Sequence, residues 1–303
     1  MKEKTKDDTQ PIKPKTALRS GELRRPYASR VQVDAAGLSH PGKVRSANQD
    51  HYLVARVGRS LETLTTSLPE GEVPKRFDET GYVMMVADGM GGAAAGEVAS
   101  RLAVSTLINI VLDVPDWIMK LDDDRAEEVM QRAAGYYRQV DSTLAERAEA
   151  EPQLSGMGTT MTLAYSLGRD LFVAHVGDSR AYLLRRGTLQ QLTHDHTHVQ
   201  NLLDAGMITH EEAASHRLRN VLTNVLGGNV RLVDVEIHRV GLANGDRLLL
   251  CTDGLHGVVN DGEVAAALAR MKQPDKTCRE LVDLVLERGA PDNVTAVAAR
   301  YTV

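Results

Sequence analysis

The apolar positions of the chain gather in short runs, and one of these runs delivers a carboxylate into a glycine-rich turn. Residues 82–87 are uncharged and mostly bulky, which predicts a buried β-strand that the glycines of residues 89–92 end at once. A carboxylate at a buried strand end is costly to leave unpaired, so we expect Asp88 to meet a cation or several hydrogen-bond donors. The alternative, that Asp88 only caps the alanine-rich helix predicted to follow, stays open at this point.

Similar apolar or alternating runs predict the other strands. They lie at residues 31–38, 50–57, 157–165, 171–176, 180–184, 188–192, 247–251 and 294–299. Many tight turns separate them, including a predicted hairpin turn at Gly177-Asp178-Ser179, and this spacing favours antiparallel pairing. Residues 58–80 carry Gly, Pro, Ser and charge without a period, and we expect a surface hairpin loop there.

Two long helices are predicted after the central turn. Residues 96–112 are apolar on nearly every face, as expected for a helix sandwiched between layers. Residues 125–149 predict a second helix with apolar side chains at steps of three and four on one face. That face consists of Ala126, Val129, Met130, Ala133, Tyr137, Val140 and Leu144. Two consecutive helices followed by strands favour a layered fold over regular βαβ alternation.

Composition narrows the class of protein. The 303 residues suit one large domain or two small ones, and 42% hydrophobic with 25% charged residues is typical of a soluble globular protein. The formal charge of -5 gives no overall attraction to nucleic acid. Two cysteines, Cys251 and Cys278, do not make a disulfide framework, which favours a reducing, cytoplasmic setting.

The first 30 residues differ from the rest. They hold nine Lys or Arg against four Asp or Glu, which predicts a disordered basic tail ahead of a domain at residues 31–303. The tail could recruit an acidic partner or contact the domain, but a solvated extension is the simpler expectation. The charged start is no secretory signal. The longest uncharged apolar run, residues 102–112, is well short of the roughly 20 residues that cross a bilayer, so no membrane span is expected.

Two other motifs resemble cofactor-binding sites, but we expect neither to bind a cofactor. Residues 37–44 nearly spell a phosphate-binding P-loop, but Val44 stands where that loop needs Ser or Thr to hold magnesium. His194, His196 and His198 alternate and could ligate zinc from a strand. The residues after them look helical, however, which would turn the three rings to different sides, so we expect a polar loop instead.

Two further acidic turns repeat the pattern around Asp88. Asp253 follows the apolar strand at residues 247–251, and Asp292 precedes the strand at residues 294–299. One such aspartate is usually a turn former, but three at strand ends are hard to attribute to turns alone. Oxygen ligands without neighbouring His or Cys suit hard cations such as Mg2+ or Mn2+. Two such ions roughly 3.5 to 4 Å apart activate a shared water, for which a phosphoryl group is a natural electrophile.

With these motifs, the sequence resembles the metal-dependent protein Ser/Thr phosphatases of the PPM or type 2C family, in the compact form common in bacteria. Six stretches carry the resemblance, in family order: 45–50 (RSANQD), 86–92 (VADGMGG), 156–160 (GMGTT), 176–180 (VGDSR), 251–254 (CTDG) and 292–295 (DNVT). The resemblance implies an α+β fold, a four-layer αββα sandwich of two antiparallel sheets flanked by helix pairs. Residues 195–230 match the family's variable flap, a small subdomain linked to substrate choice.

The resemblance also implies a set of site residues. Asp88 would bridge two Mn2+ or Mg2+ ions, and the carbonyl of Gly89 would bind one of them. Asp253 and Asp292 would complete the shell of the other ion. Asp178, with Asp253, would hold a weaker third ion.

The resemblance also gives Arg45 a role, and the sequence departs from the family pattern at two positions. Arg45 would grip the substrate phosphate, since its forked donors match two oxygens; without the motif, a surface salt bridge would be preferred. Gln49 stands where many relatives have Glu, so Asp50 is expected to contact metal through water. Met90 stands where animal relatives have a His proposed as proton donor, so another group must protonate the leaving group.

We therefore expect a cytoplasmic Mg2+- or Mn2+-dependent phosphatase acting on phosphoserine and phosphothreonine by direct attack of a metal-bound water or hydroxide. A phosphocysteine mechanism needs Arg six residues after its Cys, but Gly257 and Leu284 stand there. The alternative is a catalytically silent member that binds phosphoproteins through the same cleft. Expected partners are phosphorylated substrates of a Ser/Thr kinase, with no nucleic acid and no membrane, and the chain is expected to be a monomer.

Overall fold

A computed structural model describes residues 31–113, 123–228 and 233–303 of the chain. The predicted basic tail, residues 1–30, lies outside the described residues.

One of the two sheets has five strands in the order β1-β12-β11-β7-β8, with every neighbouring pair antiparallel. Its strands are β1 (Gln32–His40), β7 (Arg180–Arg185), β8 (Thr188–Gln191), β11 (Arg247–Cys251) and β12 (Val294–Thr302). The first and last strands of the described chain are therefore partners, and Val294 lies opposite His40. This pairing brings the turn before β12 beside the loop that leaves β1.

The other sheet has seven strands, also antiparallel, in the order β10-β6-β5-β3-β4-β9, with β2 paired to β3. Its strands are β2 (Asp50–Glu62), β3 (Arg76–Met90), β4 (Gly158–Thr159), β5 (Met161–Leu167), β6 (Asp170–Val176), β9 (Leu226–Gly227) and β10 (Glu236–Gly241). The long strand β3 is central and carries Asp88 close to its end.

Two pairs of helices cover the outer faces of the two sheets and complete four layers, which confirms the αββα sandwich. The α-helices of the described residues are α1 (Ala93–Asp113), α2 (Asp123–Ala150), α3 (His198–Asp204), α4 (His210–Ala214), α5 (Asp253–His256), α6 (Asp261–Arg270) and α7 (Pro274–Glu287). Helices α1 and α2 pack on the seven-stranded sheet, and α6 and α7 pack on the five-stranded sheet. The short helices α3 and α4 lie within the predicted flap.

Alternating side chains hold the layers together, since successive residues of a strand point to opposite faces. In β3, Met84 and Val86 belong to the core between the sheets, whereas Val83 and Met85 pack under α1 and α2. Because both faces of these strands are buried, their sequences are continuously apolar even though the sheets are antiparallel. The same alternation places Leu250 between the sheets.

The prediction of a hairpin at Gly177-Asp178-Ser179 is wrong. Strands β6 and β7 on either side of it belong to different sheets, so this turn crosses from one sheet to the other. Gly177 adopts φ +112°, and a Cβ added there would lie 2.5 Å from side-chain atoms of Thr160. The crossing therefore requires glycine both for its backbone conformation and for the close approach of Thr160.

Two strand predictions also need correction. Residues 58–62 and 76–80 are strand and not loop, because β2 and β3 continue their pairing from Asp50–Asp88 out to Glu62–Arg76. The predicted strand at residues 157–165 is divided, since β4 pairs with the end of β3 and β9 before the chain continues as β5. The turn at Arg186-Gly187, in contrast, does join two paired strands, β7 and β8.

Helix α1 is an outer helix, so the prediction that it is sandwiched between layers is wrong. Its apolar residues include Leu112, which is 65% exposed, whereas Ala99 and Ala103 are fully buried. Within the described part of the chain, α1 alone is long and apolar enough to cross a membrane, with mean hydropathy 1.3 over Ala94–Asp113 and 33% of the window buried. Core helices of soluble proteins have the same length and composition, and α1 packs on β3 and α2.

Candidate active site

Five aspartates from five separate segments meet at one end of the sandwich. Asp50 begins β2 and lies directly opposite Asp88 of β3. Asp253 begins α5 after β11, Asp292 precedes β12, and Asp178 lies in the turn that crosses between the sheets. The charges of other members help to raise the pKa values of Asp50, Asp88, Asp178 and Asp253. We call these five residues the aspartate cluster.

Burial and mutual repulsion disfavour the charged form of the cluster. Burial raises the pKa of Asp88 well above its usual value, and the charges of Asp50, Asp253 and Asp178 raise it further. Burial is also the largest cause of the raised pKa values of Asp178 and Asp253. Carboxylates that repel one another in a buried site hold protons unless a cation neutralises them.

Asp50 shows that the cluster fits a hard cation. Its Oδ2 accepts hydrogen bonds from the hydroxyls of Thr252 at 2.8 Å and Thr295 at 2.7 Å. Its Oδ1 is buried without a hydrogen-bond partner, and burial raises the pKa of this carboxyl to about 7. A buried oxygen without a partner calls for a ligand, and an all-oxygen donor set suits Mg2+ or Mn2+.

Gly89, directly after Asp88, is packed too tightly for any side chain. A Cβ on Gly89 would lie 2.0 Å from the carbonyl oxygen of Gly96 in α1. The N–H of Gly89 donates to the carbonyl of Gln49 at 3.1 Å, which joins the turn to the start of β2. Because the backbone runs this close to its neighbours, the position of Asp88 is fixed by main-chain contacts.

Comparison with known protein families agrees with the fold and with the aspartate cluster. The model of the family described as "Protein phosphatase 2C" matches residues 75–290, which is most of the described domain. The chain belongs to the protein phosphatase 2C family. The predicted family and the predicted fold are thus confirmed.

Similar proteins of known name are serine/threonine phosphatases. The serine/threonine protein phosphatase PstP of Mycobacterium tuberculosis is 41% identical over 217 residues, which are 72% of this chain and 40% of PstP. The serine/threonine phosphatase stp of Listeria welshimeri is 35% identical over 71% of this chain and 82% of its own length. A solved PstP catalytic domain in complex with two manganese ions has TM-score 0.70 and 34% identity, covering 90% of this chain and 100% of that one.

Arg45, the predicted phosphate ligand of this type 2C protein, contacts the aspartate cluster. Its guanidinium donates to both oxygens of Asp292, at 2.8 Å from Nε and 2.7 Å from Nη2, and its side chain is 54% exposed. This hydrogen bond is the largest cause of its raised pKa. Arg45 therefore already presents two donors to a pair of oxygens at the mouth of the cluster.

The two departures from the family pattern have different surroundings. Gln49 donates its side-chain amide to the carbonyl of Gly92 at 2.9 Å, so it supports the glycine turn. Met90 is 39% exposed at the end of β3 and has no proton to transfer. The structure thus gives Gln49 a scaffold role that the sequence did not indicate.

A second group of potential ligands lies behind the Asp178 turn. Ligand atoms of His175, His196 and Glu236 lie within 4.8 Å of one another. The rings are already engaged, since His175 contacts Thr162 through Nδ1, and the N–H of Gly177 donates to Nδ1 of His196 at 3.1 Å. With Nδ1 as acceptor, the other ring nitrogen of a neutral His196 carries the proton and cannot bind a metal. We interpret this group as hydrogen-bonding support.

Local contacts also account for His194 and His198 and for the two cysteines. His194 pairs with Asp204 at 2.7 Å and His198 begins α3, so neither joins the group of potential ligands. Cys251 and Cys278 are free thiols buried in the core. Sequence reasoning missed Thr252 and Thr295, which hold Asp50, because β-branched residues at strand ends also occur for packing alone.

Proposed function

We propose that this protein hydrolyses phosphoserine and phosphothreonine in proteins. The observation that carries the proposal is the convergence of the five aspartates, with Oδ1 of Asp50 buried and unpaired among them. Its relatives PstP and stp, both serine/threonine phosphatases, support the same reaction, although the chain spans less than half the length of PstP.

The aspartate cluster would hold two Mn2+ or Mg2+ ions, with a weaker third position at Asp178. Asp88 and Gly89, with Asp253 and Asp292, are the proposed ligands of the first two. When bound, such ions neutralise phosphate charge and lower the pKa of a water, so that hydroxide is available to attack phosphorus near neutral pH. The burial of the cluster strengthens every charge interaction within it, and the hydroxyls on Oδ2 of Asp50 fix the direction of its other oxygen.

Arg45 would orient the substrate phosphate at the mouth of the cluster. Its guanidinium fork matches two phosphate oxygens in the same way that it now matches the two oxygens of Asp292. The proposed substrates are phosphoproteins made by a Ser/Thr kinase, which would give the protein a role in signalling. We also propose a cytoplasmic monomer without membrane or nucleic-acid partners, and the formal charge of -5 supports the absence of nucleic-acid partners.

Hydrolysis of p-nitrophenyl phosphate and of a phosphothreonine peptide tests the proposal. We expect activity with Mn2+, almost none with EDTA, and almost none in Asp88→Asn with Mn2+. Asp34→Asn is the matched control, since Asp34 is exposed on β1 and should leave activity unchanged. Retention of phosphopeptide binding without any hydrolysis in the unaltered protein would instead support the catalytically silent alternative.

A further inference from the structure

The flap is joined to the sandwich by a neck whose two arms pair with each other. We define the neck as residues 195–198 and 221–224. The N–H of His198 donates to the carbonyl of Val221 at 2.8 Å, and the N–H of Thr223 donates to the carbonyl of His196 at 2.9 Å. Because the arms are hydrogen-bonded, both ends of the flap are held together at one place.

His196 connects this neck to the turn that carries Asp178. Its N–H donates to the carbonyl of Gly177 at 2.7 Å, and its ring Nδ1 accepts the N–H of Gly177 at 3.1 Å. Asn224, from the second arm, lies 3.1 Å from the same Nδ1 through its side-chain amide. One residue of the neck therefore holds both backbone polar groups of Gly177.

The other side of the turn is held by the active site. Nε2 of His256 lies 3.0 Å from the carbonyl oxygen of Asp178. Oγ of Ser179 lies 2.8 Å from Oγ1 of Thr160, which accepts the N–H of Asp88 at 3.1 Å. The turn is thus a direct hydrogen-bonded link between the flap neck and the strand end of Asp88.

We propose that His196 is a positioning residue that sets the place of Asp178 through the Gly177 peptide and so couples the flap to the third cation position. The inference rests on the proposed function, since the role of Asp178 as a ligand belongs to it. Gly177 is buried, so its N–H has no water to replace a lost acceptor. Without Nδ1 of His196, the turn is expected to shift.

Three substitutions test whether His196 positions the Gly177 peptide through its hydrogen bond or only fills space. His196→Asn places an acceptor oxygen close to the position of Nδ1, whereas His196→Gln places it near Nε2, and both side chains are polar. His194→Gln is the matched control, since His194 is 48% exposed and its ring pairs with Asp204. The measurements are calorimetric titration with Mn2+ and amide hydrogen exchange of Gly177 in the Mn2+-loaded protein.

We expect His196→Gln to weaken the weakest Mn2+ binding step about 10-fold or more, as loss of a residue that orients a ligand does. The tighter steps should change less than about twofold, and exchange at Gly177 should become faster. His196→Asn should restore both properties to within about threefold of the unaltered protein, since the Asn oxygen replaces Nδ1 as acceptor. His194→Gln should match the unaltered protein.

Two results would overturn the inference while leaving the proposed function intact. One is unaltered Mn2+ binding in His196→Gln, which would show that the neck does not position Asp178. The other is equal loss in His196→Asn and His196→Gln, which would show that the ring only fills volume. Failure of the unaltered protein to bind Mn2+ or hydrolyse phosphopeptide would refute the proposed function and the inference together.

Discussion

The hydroxyl oxygen of Thr295 lies 2.7 Å from Oδ2 of Asp50, although 245 positions separate the two residues in the chain. The same hydroxyl lies 2.8 Å from Oγ of Ser39 on β1, and Thr252 donates to the same carboxylate oxygen at 2.8 Å. Asp50 is thereby fixed by strand β12 of the other sheet and by the residue that follows β11. Its orientation toward a cation depends on residues that do not themselves belong to the cluster.

Replacement of Thr295 by Val should therefore weaken cation binding. Valine has nearly the same shape but no hydroxyl, so Asp50 loses one of the donors that orient it, and Mn2+ affinity should fall about 10- to 100-fold. Thr295→Ser keeps the hydroxyl and should remain within a few-fold of the unaltered protein. Calorimetric titration with Mn2+ measures both, and equal affinity of the Val variant would show that the contact is incidental.

Replacement of Gly177 by Ala should destabilise the fold. The new methyl group would lie 2.5 Å from side-chain atoms of Thr160, at φ +112°, and we expect a loss of about 2 kcal/mol or more in the free energy of unfolding. Gly187→Ala is the control, since Gly187 has φ +84° but no heavy atom within 4 Å, and backbone strain alone costs about 1 kcal/mol. Urea denaturation compares the two, and equal losses would contradict the packing argument.

Replacement of Arg45 by Lys should impair substrate binding more than turnover. Lysine keeps the charge but loses the two-pronged geometry that Arg45 now offers to Asp292, so KM for a phosphothreonine peptide should rise about 10-fold. Steady-state kinetics measures KM and kcat separately. Arg56→Lys, at an exposed position of β2, should leave both unchanged. An unaltered KM in Arg45→Lys would remove Arg45 from the substrate site.

Acidification should destabilise the protein through His175. Burial lowers the pKa of His175 to about 4, whereas the unfolded chain binds this proton near its ordinary value of 6.5. The unfolded state therefore binds more protons between these values, and stability falls as the pH falls from 6.5 toward 4. His175→Gln should reduce the stability difference between pH 7.5 and pH 5.0 by about 2 kcal/mol in urea denaturation at fixed Mn2+. An unchanged difference would contradict this assignment.

The chain order of the acidic turns was predictable because each follows or precedes a run of apolar residues. A strand buried on both faces leaves a clear pattern, and its end is marked by the first carboxylate, as at Asp88 and Asp253. The second helix was predictable for the same reason, since Tyr137, Val140 and Leu144 recur on one buried face. Local pattern thus located both the core and most of the proposed cation ligands.

Relationships between distant segments were not predictable from local pattern. A Gly-Asp-Ser turn has the same composition whether it closes a hairpin or crosses between sheets, and only the pairing of β6 and β7 with other strands decides this. The extension of β2 and β3 was missed because residues 58–80 have no alternation to mark a strand. The contacts of Thr295 and His196 depend on partners far away in the chain.

Calorimetric titration of Mn2+ into the unaltered protein and into Asp88→Asn tests whether the aspartate cluster binds metal ions through Asp88. We expect at least two bound ions for the unaltered protein, as in the solved PstP catalytic domain, and loss of tight binding in Asp88→Asn, because Asp88 is the proposed bridging ligand. Absence of Mn2+ binding in the unaltered protein, or equal binding by both proteins, would contradict it.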